Sequence, residues 1–224
     1  MQINKAVALF FFMKIERFNI GDDYVCNMYI IGEEGEPCII VDPGADPNQF
    51  IEKYVTKHHD GQIAGFLLTH GHYDHIEGLR KCTIKSPVYV HALEEEFLDE
   101  PAYNLSLHFF DNLFIKDLDT KLINDGDVLN VGNYEIKVMH TPFHTRGSSC
   151  FYFEKENVVF SGDTLFHLSV GRTDLPTGSN KTVESSLQKL AVLPPETKVY
   201  PGHGPSTTIG DELRLNPYLK RLKK

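Results

Sequence analysis

Thr69-His70-Gly71-His72-Tyr73-Asp74-His75 puts three imidazoles and a carboxylate within six residues, directly after the apolar run Gly65-Phe66-Leu67-Leu68. That run is short and lies between Gly61 and Gly71, so it reads as a buried strand. The ligand-type residues therefore occupy the loop where a buried strand ends, a usual place for an active site in layered α/β folds. Imidazole nitrogen and carboxylate oxygen together suit zinc, iron or manganese, and no thiolate lies nearby. A solvated polar loop is the bland alternative, and it accounts poorly for four potential ligands packed around a glycine. The spacing excludes the H-E-x-x-H zinc helix, whose two histidines stand at i and i+4. His70 and His72 are two apart, which suits an extended segment sending both side chains to one side.

Composition bounds the rest. The chain has 224 residues, 41% hydrophobic and 24% charged, enough for one substantial core. A net charge of −9 from 31 acidic and 22 basic residues argues against a general nucleic-acid binder. The tail Lys220-Arg221-Leu222-Lys223-Lys224 reads as a solvated terminus. Cys26, Cys38, Cys82 and Cys150 are scattered without a C-x-x-C pair, so no disulfide framework is expected and a cytoplasmic location fits best. No apolar run approaches the length of a membrane span. Ala6 to Phe12 after Lys5 faintly resembles a signal peptide, but it is short, lacks a cleavage site and runs straight into a strand. Residues 1–12 are therefore read as an N-terminal extension, with Met13 as the natural start and 13–224 as a single domain.

Along the chain, Lys14 to Ile20, Tyr24 to Ile31 and Pro37 to Val41 read as strands, with Gly21-Asp22-Asp23 a turn and Asp42-Pro43-Gly44 a stop. Asn48 to Lys57 has helical spacing, Ile63 to Leu68 is a strand, and Ile76 begins a helix running to about Thr83. Val88 to Val90 reads as a strand and Leu93 to Leu98 as a short acidic helix. Glu100 to Asp119 shows neither period; it is either a wall of the substrate site or a connector with its own hydrophobic cluster. Then come the hairpin Asp127 to Val131 and Tyr134 to Met139, the pair Cys150 to Phe153 and Val158 to Ser161, a helix over Lys181 to Leu193, and the strand Lys198 to Tyr200. This order predicts an α/β sandwich of two sheets covered by helices.

Three more strand ends carry ligand-type groups: His140-Thr141-Pro142-Phe143-His144-Thr145, Ser161-Gly162-Asp163-Thr164 and Pro201-Gly202-His203-Gly204-Pro205. Any one alone would be an ordinary turn or cap. Together with the first motif they resemble the H-x-H-x-D-H pattern of the metallo-β-lactamase superfamily, over essentially the whole chain after Met13. The resemblance implies an αβ/βα four-layer sandwich of two mixed β-sheets flanked by helices. It implies that His70, His72 and His144 bind one metal, that Asp74, His75 and His203 bind a second, and that Asp163 bridges them. His140 is left as a structural or supporting histidine. Phe160 to Phe166, Gly171 to Pro176 and Tyr200 to Gly210 resemble the glyoxalase-II-like hydrolase branch. Two positions depart from that pattern: Phe143 is bulky beside His144, and Arg146 stands where a proline or small residue is common.

The chemistry implied is a binuclear metal-dependent hydrolase, with two divalent ions per chain, zinc first and iron or manganese as alternatives. A metal-bridging hydroxide would cleave a thioester of the hydroxyacylglutathione type, or a related ester or lactone. Asp74, itself a ligand, would also orient the nucleophile and carry its proton. Only about twenty residues follow His203, so a glutathione site like that of full-length glyoxalase II is expected to be missing or reduced. The alternatives are an oxidoreductase similar to the mononuclear-iron persulfide dioxygenases, or a non-catalytic metal-binding module. The partner expected is a small molecule, with neither nucleic acid nor membrane; oligomeric state is not legible. Arg172 and Asp174 read as a structural pair, and Tyr73 as packing under the loop.

Overall fold

Met28 and Ile30 turn to one face of their strand, Tyr29 and Ile31 to the other, and all four are buried. A strand covered on both faces belongs to an inner layer, and this strand fixes the layering. The computed structural model describes residues 13–20, 25–109 and 112–223. The extension over 1–12 and the turn Gly21-Asp22-Asp23 lie outside these residues.

The first sheet contains β1 (Ile15–Ile20), β2 (Cys26–Ile31), β3 (Cys38–Val41), β4 (Ile63–Leu67), β5 (Pro87–His91) and β6 (Asp119–Ile123), in that order. The first three run antiparallel to one another and β3 to β6 run parallel, so the sheet is mixed. The second contains β7 (Val128–Val131), β8 (Tyr134–His140), β9 (Ser149–Phe153) and β10 (Val158–Gly162). It continues through β13 (Lys198–Pro201) to β14 (Thr207–Thr208), and only β10 and β13 pair parallel. A small hairpin of β11 (Leu165–Phe166) and β12 (Ser169–Val170) stands apart from both.

Three apolar clusters separate four layers. Tyr29, Ile31, Ile39, Val41 and Leu67 of the first sheet meet Ile136, Val138, Phe151, Phe153 and Phe160 of the second between the sheets. On the outer face of the first sheet, Met28, Ile30, Ile40 and Phe66 pack against α1 (Phe50–His58), α2 (Tyr73–Ile76) and α3 (Gly78–Lys81). Ile51 and Val55 of α1 are fully buried there, which contributes about 1.5–3 kcal/mol for each side chain. On the outer face of the second sheet, Cys150, Tyr152, Val159 and Val199 pack against α4 (Val183–Ala191) and α5 (Ile209–Leu215). The four-layer arrangement is the one expected from the sequence.

Four local expectations change. The helix expected from Ile76 to Thr83 begins earlier, at Tyr73, and is broken into α2 and α3. The acidic helix over Leu93 to Leu98 is a 3-10 segment, Ala92–Leu98, and its Glu94 is fully buried. The segment after Glu100 is a connector: Leu113 and Ile115 join the outer core, and the Asn104 side chain donates to Phe97 O and Leu113 O. Beyond His203, where the sequence reads a solvated tail over 220–224, the chain forms β14 and α5, Leu222 packs on the outer core of the second sheet, and the Thr208 hydroxyl accepts the Asp211 N–H at the helix start.

Candidate metal centre

Four strand ends deliver the ligand-type residues to one edge of the sandwich. The loop after β4 carries His70 and His72, and the first turn of α2 carries Asp74 and His75. The loops after β8, β10 and β13 carry His144, Asp163 and His203. Backbone hydrogen bonds hold these loops together: Ser149 N–H to Thr69 O (2.8 Å), Gly202 N–H to Gly162 O (2.8 Å) and Asn27 N–H to Gly202 O (2.7 Å). Two sheets are thereby joined at the site.

The seven residues form overlapping groups. Ligand atoms of His70, His72 and His144 lie within 4.8 Å of one another, as do those of Asp74, His75 and His203. Asp163 stands between them. Its Oδ2 is 3.4 Å from His144 Nε2 and 3.6 Å from His203 Nε2, while Oδ1 is 3.5 Å from His75 Nε2. Every predicted site residue is in this cluster.

Partners behind the rings aim their nitrogens. His75 Nδ1–H donates to Asp42 Oδ2 (2.9 Å), His203 Nδ1–H to Val25 O (2.9 Å) and His144 Nδ1–H to Arg172 O (2.9 Å). The Thr69 hydroxyl donates to Asp42 Oδ2 (2.6 Å) and accepts from His70 Nδ1 (3.1 Å). With Nδ1 so occupied, these four rings turn Nε2 toward the cluster, the nitrogen left for a metal. Asp42 also accepts the Thr69 N–H (2.8 Å), so one buried carboxylate ties both ends of the 69–75 ligand segment.

The electrostatics call for a cation. Burial, then the neighbouring imidazoles, hold His70 and His72 well below the usual histidine range, so both are neutral. Burial opposes charge on His75, yet Asp74, Asp42 and Asp163 outweigh it and raise its pKa to about 10. Asp74 is half-buried, and His75 and His203 outweigh the desolvation and hold its carboxyl far below the usual range. In the metal-free chain a proton supplies the positive charge that three carboxylates demand; a divalent ion supplies it better. Buried His70 Nε2 and Asp163 Oδ1 have no hydrogen-bond partner, which suits donors awaiting an ion, and His72 turns Nδ1 inward, 3.0 Å from His144 Nε2. A methyl group on Gly202 would stand 2.7 Å from His75 Cε1 and closer still to Asp163 Oδ1, so the chain comes as near to the centre as it can. The donor set therefore fits divalent metal.

Sequence reasoning missed Asp42, Thr69 and the carbonyls of Val25 and Arg172. Asp42 carried a signal, since it ends a fully apolar strand as Asp163 does; the carbonyls carried none. His140 lies outside the cluster: its Nε2–H donates to Arg146 O (2.9 Å) and its ring stacks on His91 at 4.1 Å. Phe143 is 1% exposed and packs with Cys150 and Leu187, so its bulk fills the outer core. Arg146 pairs with Glu96 and lies over Phe97 (5.5 Å) and Tyr103 (5.1 Å). Arg172 and Asp174 form an exposed two-point ion pair (2.6 and 2.7 Å). Tyr73 packs against the outer core of the first sheet, beneath the loop.

Comparison with known proteins agrees with the geometry. An uncharacterized protein of Mycobacterium tuberculosis is 38% identical over 213 residues, covering 89% of this chain and 95% of that one. The hydroxyacylglutathione hydrolase GloC of Haemophilus influenzae is 32% identical over 201 residues, covering 86% and 92%. Among solved structures, the BLEG-1 B3 metallo-beta-lactamase superposes with a TM-score of 0.83 at 36% identity, covering 92% and 99%. TTHA1623 in a di-iron-bound form superposes with a TM-score of 0.74 at 35% identity, covering 91% and 100%. The sequence profile of the metallo-beta-lactamase superfamily matches residues 21–203, and with the four-layer fold and the clustered ligands this chain belongs to that superfamily.

Proposed function

We propose that the chain is a binuclear metal-dependent hydrolase acting on a small thioester, of the hydroxyacylglutathione type or a related ester or lactone. One observation carries the reading: Asp163 touches both the His70/His72/His144 group and the Asp74/His75/His203 group, the arrangement a bridging carboxylate requires. A bound pair of such ions lowers the pKa of a water between them from 15.7 toward about 7 and polarises a carbonyl.

The chain's own residues do the rest. His70, His72 and His144 would hold one ion and Asp74, His75 and His203 the other, with Asp163 within reach of both groups. Asp74 would orient the attacking water and carry its proton on to the departing thiolate. Asp42 keeps His75 in the tautomer that binds. The similarity to GloC supports the thioester class. The segment after β13 folds back, burying Ile209 and Leu219 with α4 rather than roofing the ligands, which supports a reduced glutathione contact. We place the reaction in the cytoplasm; among the described residues no helix is long and apolar enough to cross a membrane.

The test is elemental analysis of the purified protein together with turnover of S-D-lactoylglutathione, a second thioester, a lactone and a β-lactam. Two divalent ions per chain with thioester or lactone turnover is the expected result. β-lactam cleavage alone would move the substrate class to amides. One iron, no hydrolysis, and oxygen uptake with a persulfide would overturn the proposal in favour of a dioxygenase.

A further inference from the structure

Glu94 is a fully buried carboxylate that the proposed chemistry does not use. It sits on the 3-10 segment between β5 and the connector, far in sequence from every ligand. Its two oxygens accept from two different loops: Oε2 from the Gly71 N–H at 2.7 Å, and Oε1 from the Gly147 N–H at 2.8 Å. Gly71 lies between His70 and His72, and Gly147 three residues after His144. One side chain thus spans the two loops that carry the three-imidazole group.

Burying that carboxylate is costly, and burial pushes the Glu94 pKa up to about 7 despite these donors. The arrangement is also tight. A Cβ on Gly147 would lie 2.7 Å from Glu94 Cγ and 2.9 Å from Oε1, so the approach requires glycine. Arg146 seals it from outside, donating to Leu93 O (2.9 Å), pairing with Glu96 and covering Phe97 and Tyr103. Only a carboxylate offers two acceptor oxygens pointing at two amides; a glutamine would turn an NH2 toward one of them.

We propose that Glu94 is a positioning residue that ties the His70/His72 loop to the His144 loop and sets the geometry of the three-imidazole half of the centre. The inference rests on the metal-binding reading above. The Asp74/His75/His203 half has contacts that do not involve Glu94, the Asp42 bond to His75 and the Val25 carbonyl bond to His203.

The experiment is cobalt(II) titration of the metal-free protein, followed by the visible spectrum of each site, with amide hydrogen exchange at Gly71 and Gly147 measured before metal is added. Wild type is compared with E94Q, with G147A, which displaces the carboxylate without changing charge, and with E95Q, an exposed neighbour. The expectation is two ions in wild type and E95Q. In E94Q and G147A the three-imidazole site weakens about 10- to 100-fold, the scale of lost supporting contacts, while the other keeps its affinity. Both amides exchange faster in these two variants, even without metal. Wild-type cobalt affinities and exchange in both variants, or equal weakening of both sites, would overturn the role of Glu94 alone. A wild-type chain that takes up no cobalt would overturn the metal-binding reading and this inference with it.

Discussion

Gly202→Ala adds one methyl group at the centre of the site and nothing anywhere else. The backbone there cannot retreat, because Gly202 N–H donates to Gly162 O (2.8 Å) and Gly202 O accepts from Asn27 N–H (2.7 Å). The new Cβ would lie 2.7 Å from His75 Cε1 and nearer still to Asp163 Oδ1. Ordinary contact begins near 3.4 Å, so the ring must move by about 0.7 Å and the carboxylate by about 1 Å. The His75 ring is pinned by Asp42 at 2.9 Å, which leaves the Asp163 carboxylate as the part that yields. Asp163 is the group shared by both halves, so its displacement disturbs both. A misplacement of about 1 Å at a catalytic constellation costs on the order of 10²-fold in rate, and overpacking costs about 1–3 kcal/mol of stability. The prediction is a folded variant with fewer than two ions per chain and kcat lowered about a hundredfold on the best substrate found. Metal content by elemental analysis, kcat, and circular dichroism to confirm the fold are the three readouts. A G202A protein that keeps two ions and wild-type kcat would refute the argument that the chain approaches the centre as closely as a glycine allows.

Three further outcomes are expected. Asp42→Asn removes an acceptor serving the Thr69 N–H, the Thr69 hydroxyl and His75 Nδ1, so it should destabilise the metal-free chain by roughly 1–3 kcal/mol and weaken the Asp74/His75/His203 site; urea unfolding and metal titration check both. His140→Gln should leave metal stoichiometry at the wild-type value, because His140 supports the Arg146 carbonyl and binds no ion; loss of one ion would sink that assignment. His91 is buried, and burial followed by the stacked His140 lowers its pKa to about 4. The unfolded chain, with this histidine near 6.5, binds more protons between pH 4 and 6.5, so stability falls on acidification through that window and is fully present above it. The advantage of wild type over H91N should shrink by up to about 3 kcal/mol from pH 6.5 to 4; a pH-independent difference would refute it.

The chemistry was legible because each ligand motif is local. His70 to His75, His144, Asp163 and His203 each follow an apolar run, and the pattern of strand end then ligand is written in consecutive residues. The sheets were legible for the same reason: period-two and fully apolar runs such as Tyr29, Ile31 and Ile39 to Val41 declare strands covered on two faces. β6 and the two-residue strand β14 were not, since an edge strand with four solvent-facing or half-buried positions has little hydrophobic signal of its own. Their pairing comes from the neighbouring strand.

Supporting residues mark the limit. Asp42 reads as a strand stop and Glu94 as part of a short acidic helix, and both are buried at the site. What assigns them a role is which amides and rings arrive opposite them from 23 to 53 residues away. By itself the sequence determined the donor atoms, the strand ends that carry them and the class of ion they suit, because composition and short-range periodicity are properties of the chain. The grouping of the ligands and the bridging place of Asp163 came with the family resemblance; only the tertiary structure decided which imidazole nitrogen faces inward and which carboxylate and carbonyls stand behind the rings. Those depend on distances between residues remote in sequence, and packing alone sets them.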